Sequence, residues 1–263
     1  MQVQEAAKKR TDWAGNPCDH PKLVIEYDGR GYAGWQFQIN ALTVQAILEE
    51  KLEILTKEKF RLMGAGRTDS GVHALGQVAS FRSATTRTPE DLKRRLNAIL
   101  PRDVAIRAAS VEPDAFHARF SATGKRYRYQ LWNAHERSVF LAPFAWHVRA
   151  PLDLEAMRMA AAPLLGEHDF SAFRARDCQS RQPVRFLRVL DIDATRAPLI
   201  RVEAESKAFL KNMVRNLVGT LVDVGLGKRK AEDMTAILES RDRTRAGRNA
   251  PAHGLSLLWV SYD

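Results

Sequence analysis

Cysteine is nearly absent: Cys18 and Cys178 are the only two in 263 residues. Cys18 falls in a polar stretch near the start, so no structural disulfide is expected and a reducing, cytoplasmic setting is. No Cys/His spacing resembles a zinc site, and no metal is expected. His117, His135, His147 and His168 are scattered, and each is read as structural. The chain lacks a Walker loop and a dinucleotide-binding glycine run, which argues against a nucleotide cofactor. No apolar run approaches the ~20 residues that cross a bilayer, so no membrane association is expected. Residues 1–20 carry Lys8, Lys9 and Arg10 with no apolar core behind them. They read as a flexible tail rather than a secretory leader.

What is present is positive charge. Lys plus Arg number 41 against 31 Asp plus Glu, a net charge of +10. An excess of that size points to a polyanionic partner, because contacts to phosphates release condensed counterions. The cations cluster at Lys125-Arg126-Arg128, from Arg174 to Arg188, at Lys228-Arg229-Lys230, and at Arg241, Arg243, Arg245 and Arg248. Arg exceeds Lys, and its planar fork suits phosphates and stacked bases. The hydrophobic fraction, 45%, is enough for a packed core and excludes a disordered chain.

The apolar spacing predicts two similar halves. Leu23–Tyr27 reads as a strand. Thr43 caps a helix whose stripe is Val44, Ile47, Leu48, Leu52 and Leu55. Strands follow near Phe60–Ala65 and Gln77–Arg82. Thr88 and Pro89 open a second helix, with Leu92, Leu96 and Ile99 inward and Pro101 as its stop. Val104–Val111 is the next strand. The second half offers a strand at Arg126–Trp132 and a helix at Leu154–Leu165 whose last turn Pro163 distorts. Strands at Val184–Ile192 and Leu199–Glu205 follow. Helices are expected at Lys207–Val224 and Ala231–Leu238, and a last strand at Leu255–Tyr262. Each half is then β-α-β-β-α-β, the ferredoxin-like unit of an α+β protein. Right-handed crossovers place the helices on one side and leave the opposite faces free to join into a cleft. The boundary falls at Glu112-Pro113: a tail at 1–20, a first half at 21–112 and a second at 113–263.

The densest chemistry lies in Gly66-Arg67-Thr68-Asp69-Ser70-Gly71-Val72-His73-Ala74-Leu75, the end of a strand, a tight turn and a return. One carboxylate, Asp69, stands between two glycines, with Arg67 before it and His73 after. A backbone-fixed Asp suits a nucleophile or base, although such an Asp also simply caps an Asx turn. In a water-poor cleft a carboxylate needs a nearby cation to stay ionised. Arg215 is the candidate. It falls off the apolar stripe of its helix, beside Lys211 and Asn212, and a solvated or phosphate-contacting Arg is the alternative. Tyr127 and Tyr129 share one face of their strand and Arg126 and Arg128 the other. His73 fits a strand-capping hydrogen bond better than a general base, and His168-Asp169 fits a helix-ending loop after Gly166.

The segment Gly66-Arg67-Thr68-Asp69-x-Gly71-Val72-His73-Ala74 resembles the signature of the tRNA pseudouridine synthase A family. So do five further blocks in family order. These are Tyr27-Asp28-Gly29 through Gln38, Phe116–Ser121 with Arg126–Tyr129, Gly166-x-His168-Asp169-Phe170, Phe209-Leu210 through Gly219, and Ala250-Pro251-Ala252-x-Gly254-Leu255. The resemblance implies one extended antiparallel sheet built of two ferredoxin-like halves, with helices on one side and a central basic cleft. It implies an enzyme with no metal or organic cofactor. That enzyme breaks the bond from uracil N1 to ribose and rejoins the sugar to C5. It acts at positions 38, 39 and 40 of the tRNA anticodon stem-loop and works as a homodimer. It assigns the nucleophile to Asp69, its pairing Arg to Arg215 and the ring facing the target base to Tyr127. Arg67, on the same turn as Asp69, would hold phosphate, help displace the base from its stack, or form a turn-stabilising salt bridge. The rival is a non-catalytic RNA-binding module, which has no need of an ionised Asp facing phosphates.

Overall fold

Strand β1 (Pro21–Tyr27) alternates strictly, with Leu23, Ile25 and Tyr27 pointing into the core. The computed structural model describes residues 20–59, 61–85 and 87–262. Apart from residue 20, the expected tail with Cys18 lies outside the described residues. So does Phe60, where a strand was expected to begin. The Thr43 hydroxyl accepts the amide of Ala46 and starts helix α1 (Val44–Thr56). Leu48 and Leu52 are wholly buried on its inner stripe, so truncating either to Ala should cost about 2–5 kcal/mol. Strand β2 shrinks to Met63–Gly64, and β3 (His73–Ser80) begins at His73 rather than Gln77. Helix α2 (Pro89–Ile99) has the expected Thr88 cap, and β4 (Val104–Val111) ends the half.

The second half begins with β5 (Gly124–Trp132) and the two-residue β6 (Trp146–His147). Helix α3 (Leu154–Ala161) gives way to a 3-10 turn at Ala162–Leu164, where Pro163 removes an amide donor. Strand β7 (Gly166–Asp169) corrects the loop expected there: His168 and Asp169 pair with Arg185 and Val184 on an edge strand. Strands β8 (Val184–Arg196) and β9 (Leu199–Ser206) follow. Helix α4 (Met213–Gly225) starts later than Lys207, because Asn212 adopts φ 61° and breaks the run before it. The irregular segment ahead of α4 thereby carries Phe209 and Lys211 to the cleft. Helix α5 (Asp233–Ser240) and β10 (Leu255–Ser261) complete the chain's order of elements.

Eight strands run β4-β1-β3-β10-β5-β9-β8-β7, with β2 added to β3 and β6 to β5. Each half keeps the ferredoxin-like order. The sheet is mixed rather than wholly antiparallel: β3 and β10 join the halves in parallel, pairing His73 with Ser256 and Ala74 with Leu257, and β6 lies parallel to β5. Each half fixes the direction of its own edge strand through its crossovers, so the two edges meet without having to alternate.

Register places Tyr27, Ala74, Leu257, Tyr127 and Ala204 in one row across five strands. All five are buried in the core that also holds Leu48 of α1, Leu96 of α2, Met157 of α3 and Leu217 of α4. Because Tyr127 belongs to this row and lines the cleft, the cleft opens on the helix-bearing side, beside the first turn of α4. The opposite face, where a cleft was expected, carries a charge ladder instead. Arg126 reaches Glu203 at 2.6 Å and Glu205 at 3.2 Å, and Arg128 reaches Glu203 at 2.7 Å. These two arginines of the basic cluster are neutralised within the protein.

Candidate active site

The turn at Asp69 is held from below by the Tyr27–Gln38 segment. The Tyr27 hydroxyl meets Thr68 Oγ1 at 2.7 Å, and the Trp35 amide donates to Thr68 O at 3.1 Å. Ser70 Oγ and the Gly71 amide both donate to Tyr32 O. Gln77 Nε2 secures Gly66 O at 2.9 Å. Gly34 sits at φ +96°, and a Cβ there would fall 2.7 Å from Thr68 O. Only glycine permits that approach. The signature turn and the N-terminal block are therefore one packed unit.

The Asp69 carboxylate does not cap its own turn. Its described partner is Arg215 Nη1 at 3.4 Å, a guanidinium from the first turn of α4 in the other half. Arg215 is itself clamped, with Nε donating to Ala250 O at 2.8 Å and Nη1 to Asn212 Oδ1 at 3.1 Å. The Ala250 amide returns a bond to Arg215 O, and the Tyr129 hydroxyl holds Pro251 O at 2.7 Å. Tyr127, 8% exposed, meets Phe209 edge-on at 5.2 Å between ring centres. Burial above all, then the fields of Tyr27 and Asp69, holds its phenol far above the ordinary tyrosine range. The phenol is therefore neutral at physiological pH.

Asp69, Arg215, Tyr127 and Arg67 all line one cleft of about 940 Å³. Arg67 forms no ion pair with a described residue. Around Asp69, the cleft's one carboxylate, stand six cations: Arg67, Arg119, Lys125, Arg185, Lys211 and Arg215. Phe209, Arg119, Lys125 and Arg185 were visible in the sequence only as members of basic clusters or family blocks, with no individual role in the site. Strand alternation was the available signal for Lys125, which shares the side of Tyr127.

His73 is buried away from the cleft, and it makes hydrogen bonds as expected: the Gly29 amide donates to Nδ1 at 3.2 Å, and Nε2 faces His253 O at 3.1 Å. Asp169 accepts from the Ser171 amide and pairs with Arg241 at 3.2 Å, outside the cleft. Among the described residues no cluster of three or more His, Cys, Asp or Glu would hold a metal, and no helix is long and apolar enough to cross a membrane.

Duplicated ferredoxin-like units sharing one sheet, with the chemistry gathered at their seam, define the pseudouridine synthase fold. A family model described as tRNA pseudouridine synthase matches residues 23–121 and 160–263. The chain belongs to that family. tRNA pseudouridine synthase A of Myxococcus xanthus is 48% identical over 241 residues, covering 92% of this chain and 91% of that protein. The Thermoanaerobacter sp. (strain X514) protein of that name is 45% identical over 240 residues, 91% of this chain and 98% of its own. That of Syntrophotalea carbinolica is 46% identical over 242 residues, 92% and 95% respectively.

Proposed function

We propose that this chain isomerises uridine to pseudouridine in the anticodon stem-loop of tRNA, at positions 38, 39 and 40, with Asp69 as nucleophile. One observation carries the reading: a single carboxylate, fixed by its backbone and by Arg215, stands among six cations. Even in water a like charge 4 Å away costs about 1 kcal/mol, so a carboxylate facing phosphates weakens a pure RNA binder. A nucleophile justifies it.

In the reaction Asp69 bonds to the substrate at uracil C6 or at ribose C1′, and the N1–C1′ bond breaks. The freed base turns, C5 bonds to C1′, and the bond to Asp69 breaks, which returns the free carboxylate. C5 loses its proton and N1 gains one. Tyr127 lies against the flipped uracil, Arg215 fixes the carboxylate, and Arg67 holds a phosphate or helps displace the target base from its stack. The proposed working form is a homodimer, and Val139 and Phe140, 72% and 90% exposed, are apolar surface that a second copy could cover. The proposed setting is the cytoplasm.

The test incubates anticodon-arm transcripts with the protein and maps pseudouridine by chemical tagging. Product is expected at the three positions with the wild type. Asp69→Asn should bind the RNA and form none. Product from a clean Asp69→Asn preparation would sink the nucleophile assignment.

A further inference from the structure

Lys125 is buried without a counter-charge. It sits on β5 two residues before Tyr127 and on the same side, lines the cleft, and is only 8% exposed. Its ammonium makes no ion pair or hydrogen bond with any described residue. A Cβ at Gly66 would lie 3.9 Å from its Nζ, so the ammonium stands over the strand end that leads into Asp69. Burying a lone ammonium costs several kcal/mol unless something pairs with it.

The surrounding charges deepen the deficit. Burial, then Arg119 and Arg185, push the Lys125 ammonium down to about 8. Arg185 spends Nη1 on Gln182 O and Val184 O and Nη2 on Ser180 Oγ, while its buried Nε has no partner. Three segments of the chain thus bring three cations together in the cleft, with the Lys125 ammonium and Arg185 Nε among the donors left without a partner. The cleft's one carboxylate already belongs to Arg215. The missing partner is an anion from outside.

We propose that Lys125, with Arg119 and Arg185, seats a single backbone phosphate of the RNA beside the nucleotide presented to Asp69. The inference rests on the reading of the cleft as an RNA site. A phosphodiester supplies the oxygens that these donors lack, and charge-assisted bonds to phosphate are among the stronger polar contacts. Seating that phosphate next to Asp69 fixes the ribose on which the chemistry occurs.

The test measures affinity for an anticodon stem-loop RNA across a salt series, with wild type, Lys125→Met and Lys125→Arg. Lys125→Met should bind roughly tenfold more weakly and lower the slope of log K against log salt by about 0.7. Lys125→Arg should keep the slope. A neutral methylphosphonate beside the target uridine should weaken the wild type by a similar factor and leave Lys125→Met unchanged. The thermal midpoint of Lys125→Met should not fall, because the substitution removes an unpaired buried charge. Wild-type affinity and slope in Lys125→Met, while the wild type still makes pseudouridine, would overturn the seat alone. So would a methylphosphonate effect equal in both proteins at every position tried. A wild type that neither binds nor converts the stem-loop would overturn the functional reading and the seat with it.

Discussion

His73 on β3 lies 3.1 Å from the carbonyl oxygen of His253, which leads into β10, so one imidazole ties the two halves together beside their parallel seam. The Gly29 amide donates to Nδ1, which places the ring proton on Nε2 and makes the imidazole neutral. Asp28 lies 3.2 Å from Nδ1 and would favour the charged form, but Arg30 already holds that carboxylate, and burial prevails. The pKa therefore sits below its ordinary 6.5. On acidification the unfolded chain takes up this proton first. The stability His73 contributes is full above 6.5 and is lost as pH falls through the lowered folded value. The thermal midpoint should drop between roughly pH 7 and pH 5, and His73→Gln should flatten that slope. Equal slopes in scanning calorimetry would contradict it.

Arg215→Lys separates stability from turnover. The ion pair with Asp69 is 3.4 Å long and the carboxylate 27% exposed, so it contributes under about 1 kcal/mol to folding. An ammonium cannot grip Ala250 O and Asp69 at once, as the guanidinium does through Nε and Nη1. Single-turnover rates should fall by roughly tenfold or more, with the thermal midpoint nearly unchanged.

Gly34→Ala should cost roughly 1–3 kcal/mol from its left-handed backbone, and its methyl should push the Thr68 carbonyl and Asp69 aside. Gly227→Ala is the control. It has φ +68° but open space around it, so it strains the backbone without touching the site. Both variants should melt earlier, and only Gly34→Ala should lose turnover. Comparable turnover in the two would show that the Tyr27–Gln38 platform does not set the position of Asp69.

Tyr127→Phe keeps the ring edge against Phe209 and should leave the midpoint within about 1 kcal/mol of wild type. It removes the neutral phenol, so product formation should slow at unchanged RNA affinity. Tyr127→Ala empties a buried site and should cost about 3–5 kcal/mol. Parallel melting and rate measurements distinguish the two.

Helix starts were legible because they are local. Thr43, Thr88 and Pro89 carry their own capping chemistry, and Pro163 ends α3 within a residue or two of itself. The Asp69–Arg215 contact was legible through resemblance, since a sequence separation of 146 offers no local signal. Three features were hidden. β7, Gly-Glu-His-Asp, has little strand propensity and forms only because β8 offers it an edge. The late start of α4 depends on one left-handed residue, Asn212. The side on which the cleft opens follows from long-range register, which shows Tyr127 level with Tyr27 across the seam. The same register turns Lys125 inward while its neighbour Arg126 is spent on Glu203 and Glu205.

The last strand in the chain occupies the middle of the sheet. A ribosome must release residues 255–261 before β10 can slide between β3 and β5, so until then both carry naked hydrogen-bonding borders. Clipping a handful of C-terminal residues should disconnect the two units from one another as well as exposing those borders to clumping.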